Sequence, residues 1–129
     1  FLRRWNRESG ALDVDERTLP RLQTALSFIR EHLDEELSIG AAAHALGMGE
    51  STFSRFFSRA AGTTFPAYVR LMRLSRAAEL LTVSGRSVTD VAIEAGFSTA
   101  SYLILCFRRQ YGMTPARFRA LYGFKRGET

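Results

Sequence analysis

The sequence predicts an all-α fold of about seven helices, and three observations carry that reading. Apolar residues recur three and four apart along most of the chain, the period of one helix face. No stretch alternates apolar and polar residues long enough to argue for a strand. Gly, Ser and Thr-Pro punctuation cuts the helical pattern into segments, each with its own start and stop.

Taken in order, Leu22, Ala25, Leu26, Ile29 and Leu33 form the apolar stripe of a first helix, with Thr18 as its cap and Pro20 in its first turn. The acidic Asp34-Glu35-Glu36 ends it. A short Ala-rich helix follows from Ser38 to Leu46, and Gly47 and Gly49 break it. The third runs from about Glu50 to Ala61, with Phe53, Phe56, Phe57 and Ala60 facing inward, and Gly62 stops it. Thr64 and Pro66 open a long fourth helix over 65–83, which Ser84-Gly85 closes. Ser87 caps a fifth that ends at Gly96, a sixth runs from about Thr99 to Tyr111, and Thr114-Pro115 starts a seventh. Residues 1–17 show no clear period and read as a linker remnant from a missing N-terminal region, although Phe1, Leu2 and Trp5 can pack.

The chain has 129 residues, 46% of them apolar, which suits one domain with a real core and excludes a disordered chain. A single cysteine, Cys106, excludes a disulfide scaffold and reads as a small buried residue. No apolar run is long enough for a membrane span, and no signal segment is expected. The expected setting is a fragment of a longer cytoplasmic protein, with no membrane partner. His32 and His44 are the only histidines and lack metal-spaced partners; neither a catalytic constellation nor a phosphate loop is seen. No enzyme activity, metal or cofactor is expected.

Net charge is +5, but it is divided unevenly. Residues 1–50 hold six Arg and nine acids, net −3; residues 51–129 hold eleven Arg, one Lys and four acids, net +8. A basic C-terminal portion suggests a polyanion-facing surface, with a merely solvated basic face as the other reading.

An internal repeat sharpens this. Ser38, Ala42-Ala43 and Gly47-Met48 match Ser87, Val91-Ala92 and Gly96-Phe97 at an offset of 49. After the glycine the offset becomes 50, pairing Phe53 with Leu103, Phe57 with Phe107, Arg59 with Arg109, Gly62 with Gly112, Thr64 with Thr114 and Tyr68 with Phe118. Each copy is a short helix, a glycine turn expected at positive φ, and a second helix. That is helix-turn-helix grammar, in which the second helix lies in the DNA major groove.

At this point the sequence resembles the C-terminal DNA-binding domain of the AraC/XylS family of bacterial transcription regulators. The resemblance covers about residues 20–122. Its residues are Arg73-Leu74-Ser75-Arg76-Ala77-Ala78-Glu79-Leu80-Leu81, then Val88, Val91-Ala92, Ala95-Gly96-Phe97-Ser98 and Ser101-Tyr102. Phe107-Arg108-Arg109 and Tyr111-Gly112-Met113-Thr114-Pro115 complete it. It implies two homeodomain-like helix-turn-helix subdomains, 18–64 and 84–122, joined by a linker helix at 65–83 and followed by a tail at 123–129. It also implies sequence-specific binding of double-stranded DNA through adjacent major-groove segments. RNA polymerase and an absent N-terminal effector or dimerisation domain are further expected partners, with the bound protein associated with the nucleoid. A linker helix of 19 residues spans about 28 Å, against about 34 Å for one turn of B-DNA.

Candidate DNA contacts on the first recognition helix are Ser51, Thr52, Ser54, Arg55, Ser58 and Arg59. Arg55, opposite Phe53 and Phe57, can fork onto guanine O6 and N7, and the resemblance implies a base contact there. A phosphate contact or a surface salt bridge is the other reading. Ser58 and Arg59 point to phosphate. On the second helix the candidates are Ala100, Ser101, Ile104, Leu105, Arg108 and Arg109. Ile104-Leu105 departs from the family, which usually carries polar residues there. Three readings stand: contact with thymine methyls, contact with a protein partner, or burial. Arg108 and Arg109 can grip phosphate. Ser38, Ser87 and Thr114 are candidate caps that can also meet phosphate, and Arg86 is a candidate backbone contact. On the linker, Arg73 is expected in an intramolecular salt bridge or packing role. The aromatics Phe53, Phe56, Phe57, Tyr68, Phe97, Phe107, Tyr111 and Phe118 fall at core spacing rather than forming a single-strand stacking platform. The alternative function is a helical protein-interaction module with weak or non-specific DNA binding.

Overall fold

The computed structural model describes residues 16–123. Seven helices and no strand lie among them, so the predicted all-α class holds. They are α1 (Thr18–Glu31), α2 (Ile39–Ala45), α3 (Glu50–Ala61), α4 (Phe65–Val83), α5 (Val88–Ala95), α6 (Ala100–Tyr111) and α7 (Pro115–Tyr122). The linker remnant expected at 1–17 and the tail at 123–129 fall almost wholly outside the described residues.

Most starts are set by side-chain caps, of which Ser38, Ser87 and Thr114 are expected from the sequence and Thr99 is not. The hydroxyl oxygens of Ser38, Ser87, Thr99 and Thr114 accept the N–H groups of Ala41, Asp90, Tyr102 and Arg117 at 3.0, 3.1, 3.0 and 3.1 Å. Thr64 does the same for Ala67 at 3.3 Å. Each such cap contributes about 1 kcal/mol.

Helix α1 departs from expectation at both ends. Helical dihedrals reach back to Arg17, whose carbonyl accepts the N–H of Arg21, so Thr18 is the first helical residue and not the cap. It is also buried. At the other end the helix stops at Glu31, so Leu33 leaves the stripe to which its spacing assigned it.

The chain divides into two compact units. The first runs to His32 and then takes Glu36–Val69; the second takes Leu33–Glu35 and the chain from Arg70 onward. Their boundary falls inside α4, and burial explains why. Phe65 and Val69 are buried with the first unit, where Phe65 meets Phe53 and Phe57 edge-on at centroid separations of 5.5 Å. Leu74, Ala77 and Leu81 instead belong to the core of the second unit, with Val91, Ala92, Ala95, Phe97, Leu103, Cys106 and Phe107.

The repeat is visible inside each unit. Ala43 and Ala92 are buried where the paired helices approach. Gly47 and Gly96 turn the chain at φ 68° and 98°, the left-handed region that a side chain disfavours. In both turns the next residue bonds back to the helix, Met48 N–H to the Ala43 carbonyl at 2.9 Å and Phe97 N–H to that of Ala92 at 2.8 Å. Phe57 against Tyr68 (5.6 Å, 72°) in one unit corresponds to Phe107 against Phe118 (5.3 Å, 76°) in the other.

The two glycines differ in one respect. A Cβ on Gly47 would meet open space, whereas one on Gly96 would collide with the Leu33 carbonyl and stand 2.7 Å from Arg73 Nε. The Arg73 guanidinium holds that strap, donating to the carbonyls of Leu33 at 3.0 Å and Glu35 at 2.6 Å. Of the two roles expected for Arg73, the intramolecular packing role is the one seen. Its anchors are backbone carbonyls left open just past a helix end, and desolvation there lowers its pKa, with Tyr102 acting more weakly in the opposite sense.

Gly47→Ala should then cost about 1–2 kcal/mol through its backbone conformation alone. Gly96→Ala should cost clearly more, because the strap must also move. Urea denaturation of the two variants checks this, and equal losses would refute the close approach at Gly96.

Candidate nucleic-acid interface

What faces outward on α3 is decided by what it buries. Phe53 and Phe57, four residues apart, are completely buried, and Ala60 is nearly so. That fixes the rotation of the helix about its own axis. Residues 51, 54, 55, 58 and 59 then form one stripe on the other side, at i, i+3, i+4, i+7 and i+8. Ser51, Thr52, Arg55 and Arg59 are exposed, and Ser54 and Ser58 are half-buried beside them.

In α6 the same logic runs fifty residues later. Leu103, Cys106 and Phe107 are buried, so Ser101, Ile104, Leu105, Arg108 and Arg109 come out as the matching stripe. All five are exposed and line one surface groove. Ala100, the first residue of the helix, is half-buried. Ile104 and Leu105 are 36% and 46% exposed, so neither belongs to the core. No carboxylate occurs anywhere in α6, and Glu50 in the first turn is the only one in α3.

The remaining candidates are placed differently. Ser38, Ser87 and Thr114 are caps whose oxygens already accept an N–H, leaving each with its own O–H to donate. Arg86 forms an ion pair with Glu94, beside a surface hollow that Asp34 and Asp90 also line. Arg76 donates to the carbonyl of the same Glu94 at 3.3 Å. Arg86 thus stands in acidic surroundings that compete with any phosphate, and its place in the sequence just before a cap gave no hint of this.

The eight aromatics expected in the core are all buried or half-buried. Burial raises the pKa of the Tyr111 phenol above its ordinary value. One surface residue was missed. Tyr102 is 42% exposed on α6, its ring edge-on to Phe97 at 5.8 Å. The repeat carries Thr52 onto Tyr102, so the offset of 50 was the signal that could have found it. Among the described residues no group of three or more His, Cys, Asp or Glu is placed to hold a metal ion. No single helix among them is long and apolar enough to cross a membrane.

The helix-turn-helix domain family matches residues 42–121. The chain belongs to this family, in its AraC/XylS form. It is 35% identical over 106 residues to the HTH-type transcriptional regulator ExsA of Pseudomonas aeruginosa, covering 82% of this chain and 37% of that protein. It is 31% identical over 113 residues to the HTH-type transcriptional activator RhaS of Escherichia fergusonii, covering 88% and 41%. The chain therefore spans about two-fifths of the length of the curated relatives it matches. Among solved structures it resembles the DNA-binding domain of the global transcriptional factor AdpA, crystallised with a target DNA. The TM-score is 0.77 at 32% identity, over 84% of this chain and 98% of that one. The α2–α3 and α5–α6 pairs are thus the two helix-turn-helix motifs of an AraC/XylS domain.

If the stripes are surface features and the aromatics carry the fold, the two classes separate on substitution. Arg55→Ala and Leu105→Ala should each change stability by less than about 0.5 kcal/mol. Phe57→Ala should cost about 3–5 kcal/mol. Thermal denaturation followed by circular dichroism measures all three, and a large loss at Arg55 would show it to be a structural residue.

Proposed function

We propose that this chain is the duplex-DNA-binding part of a bacterial transcription regulator, and that it binds specific sequences without chemistry of its own. The observation that carries the reading is the repeated outward stripe, present on α3 and again on α6, with arginine in both. Likeness to a domain crystallised with its target DNA supports it. In this reading each unit offers one recognition helix to the major groove, and the two helices enter adjacent segments. The 19 residues of α4 run from the first unit into the second.

The roles follow from reach and chemistry. Arg55, exposed and central in its stripe, forks onto guanine O6 and N7. Ser51, Thr52 and Ser54 make shorter base or phosphate contacts, and Ser58 and Arg59 hold phosphate. On α6, Arg108 and Arg109 grip the backbone from the far end of the groove, with Ala100 and Ser101 at the near end. Ser38, Ser87 and Thr114 add O–H donors at helix starts. Arg86 joins them only by leaving Glu94.

The same proposal extends to the rest of the protein. The relatives' greater length supports an additional region, outside this chain, that senses an effector or dimerises. RNA polymerase is the further partner of an activator, and the cytoplasm, at the nucleoid, is where such a regulator works. The exposed Ile104-Leu105 pair favours a second reading, a protein-interaction module with weak DNA binding.

A salt titration separates the two. Neutralising several phosphates gives a steep linear fall of log affinity with log salt; weak, salt-insensitive binding would exclude DNA as the ligand. Arg55→Ala should lose about 1–3 kcal/mol of specific binding and relax the choice of one base. Arg109→Ala should weaken all sequences alike and reduce the salt slope by about one. Fluorescence anisotropy across a set of single-base variants reads both effects.

A further inference from the structure

We infer that the α6 groove selects thymine by its 5-methyl group, with Ile104 and Leu105 as the specificity-determining residues. The inference rests on the proposed DNA-binding function and specifies the chemistry of its second half. Four observations converge. The repeat places Ile104 and Leu105 at the positions that Ser54 and Arg55 hold on α3, the centre of the outward stripe. Both are exposed, although each could have packed inward had the helix turned on its axis; the buried Leu103 and Phe107 prevent that turn. They share one groove with Ser101, Arg108 and Arg109. Finally, α6 carries two arginines and no acid, which suits a polyanion and opposes a cationic protein surface.

In the major groove only thymine among the four bases presents a methyl group. An aliphatic pair cannot accept or donate a hydrogen bond, so it cannot distinguish guanine, adenine or cytosine by their polar edges. It gains by excluding water from a methyl, and it loses when it covers a polar edge that then has no partner. The same two side chains therefore favour thymine and disfavour the others. Arg108 and Arg109, one turn further along, bring the helix down onto the backbone so that the pair reaches the base edges. The two halves of the site would read by different means, hydrogen bonding at α3 and methyl contact at α6, and the bound sequence would be asymmetric.

Selection from a random duplex pool with the 129-residue chain should recover thymine at one or two positions beneath α6, beside a guanine-bearing box beneath α3. Each selected thymine is then replaced by deoxyuridine, which removes the methyl and keeps every hydrogen-bonding group. Loss of one buried methyl should weaken binding roughly fourfold. In the Ile104→Ala, Leu105→Ala double variant, thymine and deoxyuridine should bind alike, while the guanine preference of the α3 box persists. Equal affinity of the unaltered chain for thymine and deoxyuridine would overturn the inference and leave the DNA-binding function intact. Persistence of the methyl effect in the double variant would also overturn it, by assigning the contact to other residues. Failure to select any sequence at all would instead count against the DNA-binding function itself.

Discussion

The structure depends on how firmly α3 and α6 are locked about their own axes. Each carries two large residues four apart, Phe53 with Phe57 and Leu103 with Phe107, all completely buried. Rotating either helix by one position would expose an aromatic ring and bury an arginine. The first change forfeits most of a buried side chain's transfer energy, about 1.5–3 kcal/mol, and the second places a charge where it has no partner. The outward stripe is thus held in place by the inward one. T-shaped packing adds to the lock, since Phe57 is held by Phe65 and Tyr68, and Phe107 by Phe118.

This explains what was legible in the sequence. Helical period and glycine stops placed seven helices, because those signals are local. The repeat placed the stripes, because it relates positions fifty residues apart without needing their coordinates. Caps at Ser38, Ser87 and Thr114 were legible for the same local reason. Thr18 was not, because its environment is tertiary: it is buried, and the helix begins one residue earlier. Leu33 shows the same limit. Its spacing matches the α1 stripe, but its carbonyl is bonded by Arg73 and approached by Gly96, residues of a distant segment. The repeat put Ile104 and Leu105 in the outward stripe, but apolar residues on a half-apolar helix fit either face, so burial stayed open until the neighbours were known.

The second unit carries a constraint that the first lacks. Its glycine turn is closed over by the Leu33–Glu35 strap and the Arg73 guanidinium, while Gly47 faces open space. Arg73 is well suited to the task, since a planar fork can donate to two carbonyls at once and keeps its charge even when partly desolvated. Arg119 works similarly at the C-terminal end of α4, donating to the carbonyls of Leu81 and Ser84 at 3.3 Å. Two of the chain's arginines therefore secure helix ends and turns. The arginine surplus in residues 51–129 is not all surface charge for a ligand, and the outward stripes account for only Arg55, Arg59, Arg108 and Arg109.

That separation of roles is what allows the two copies to diverge. Buried positions of the repeat stay interchangeable in kind: alanine opposite alanine, aromatic or leucine opposite phenylalanine, and positive-φ glycine in both turns. Outward positions are freed from packing, so Ser54-Arg55 and Ile104-Leu105 can occupy equivalent sites on equivalent helices without disturbing either core. The exposed parts of Ile104 and Leu105 do no packing within the unit that bears them. Hydration of their surface is a cost in the isolated chain, and it is recovered only when something apolar covers them. Their neighbours in the groove are two arginines and a serine, with no acid on the helix, so basic side chains flank the aliphatic pair.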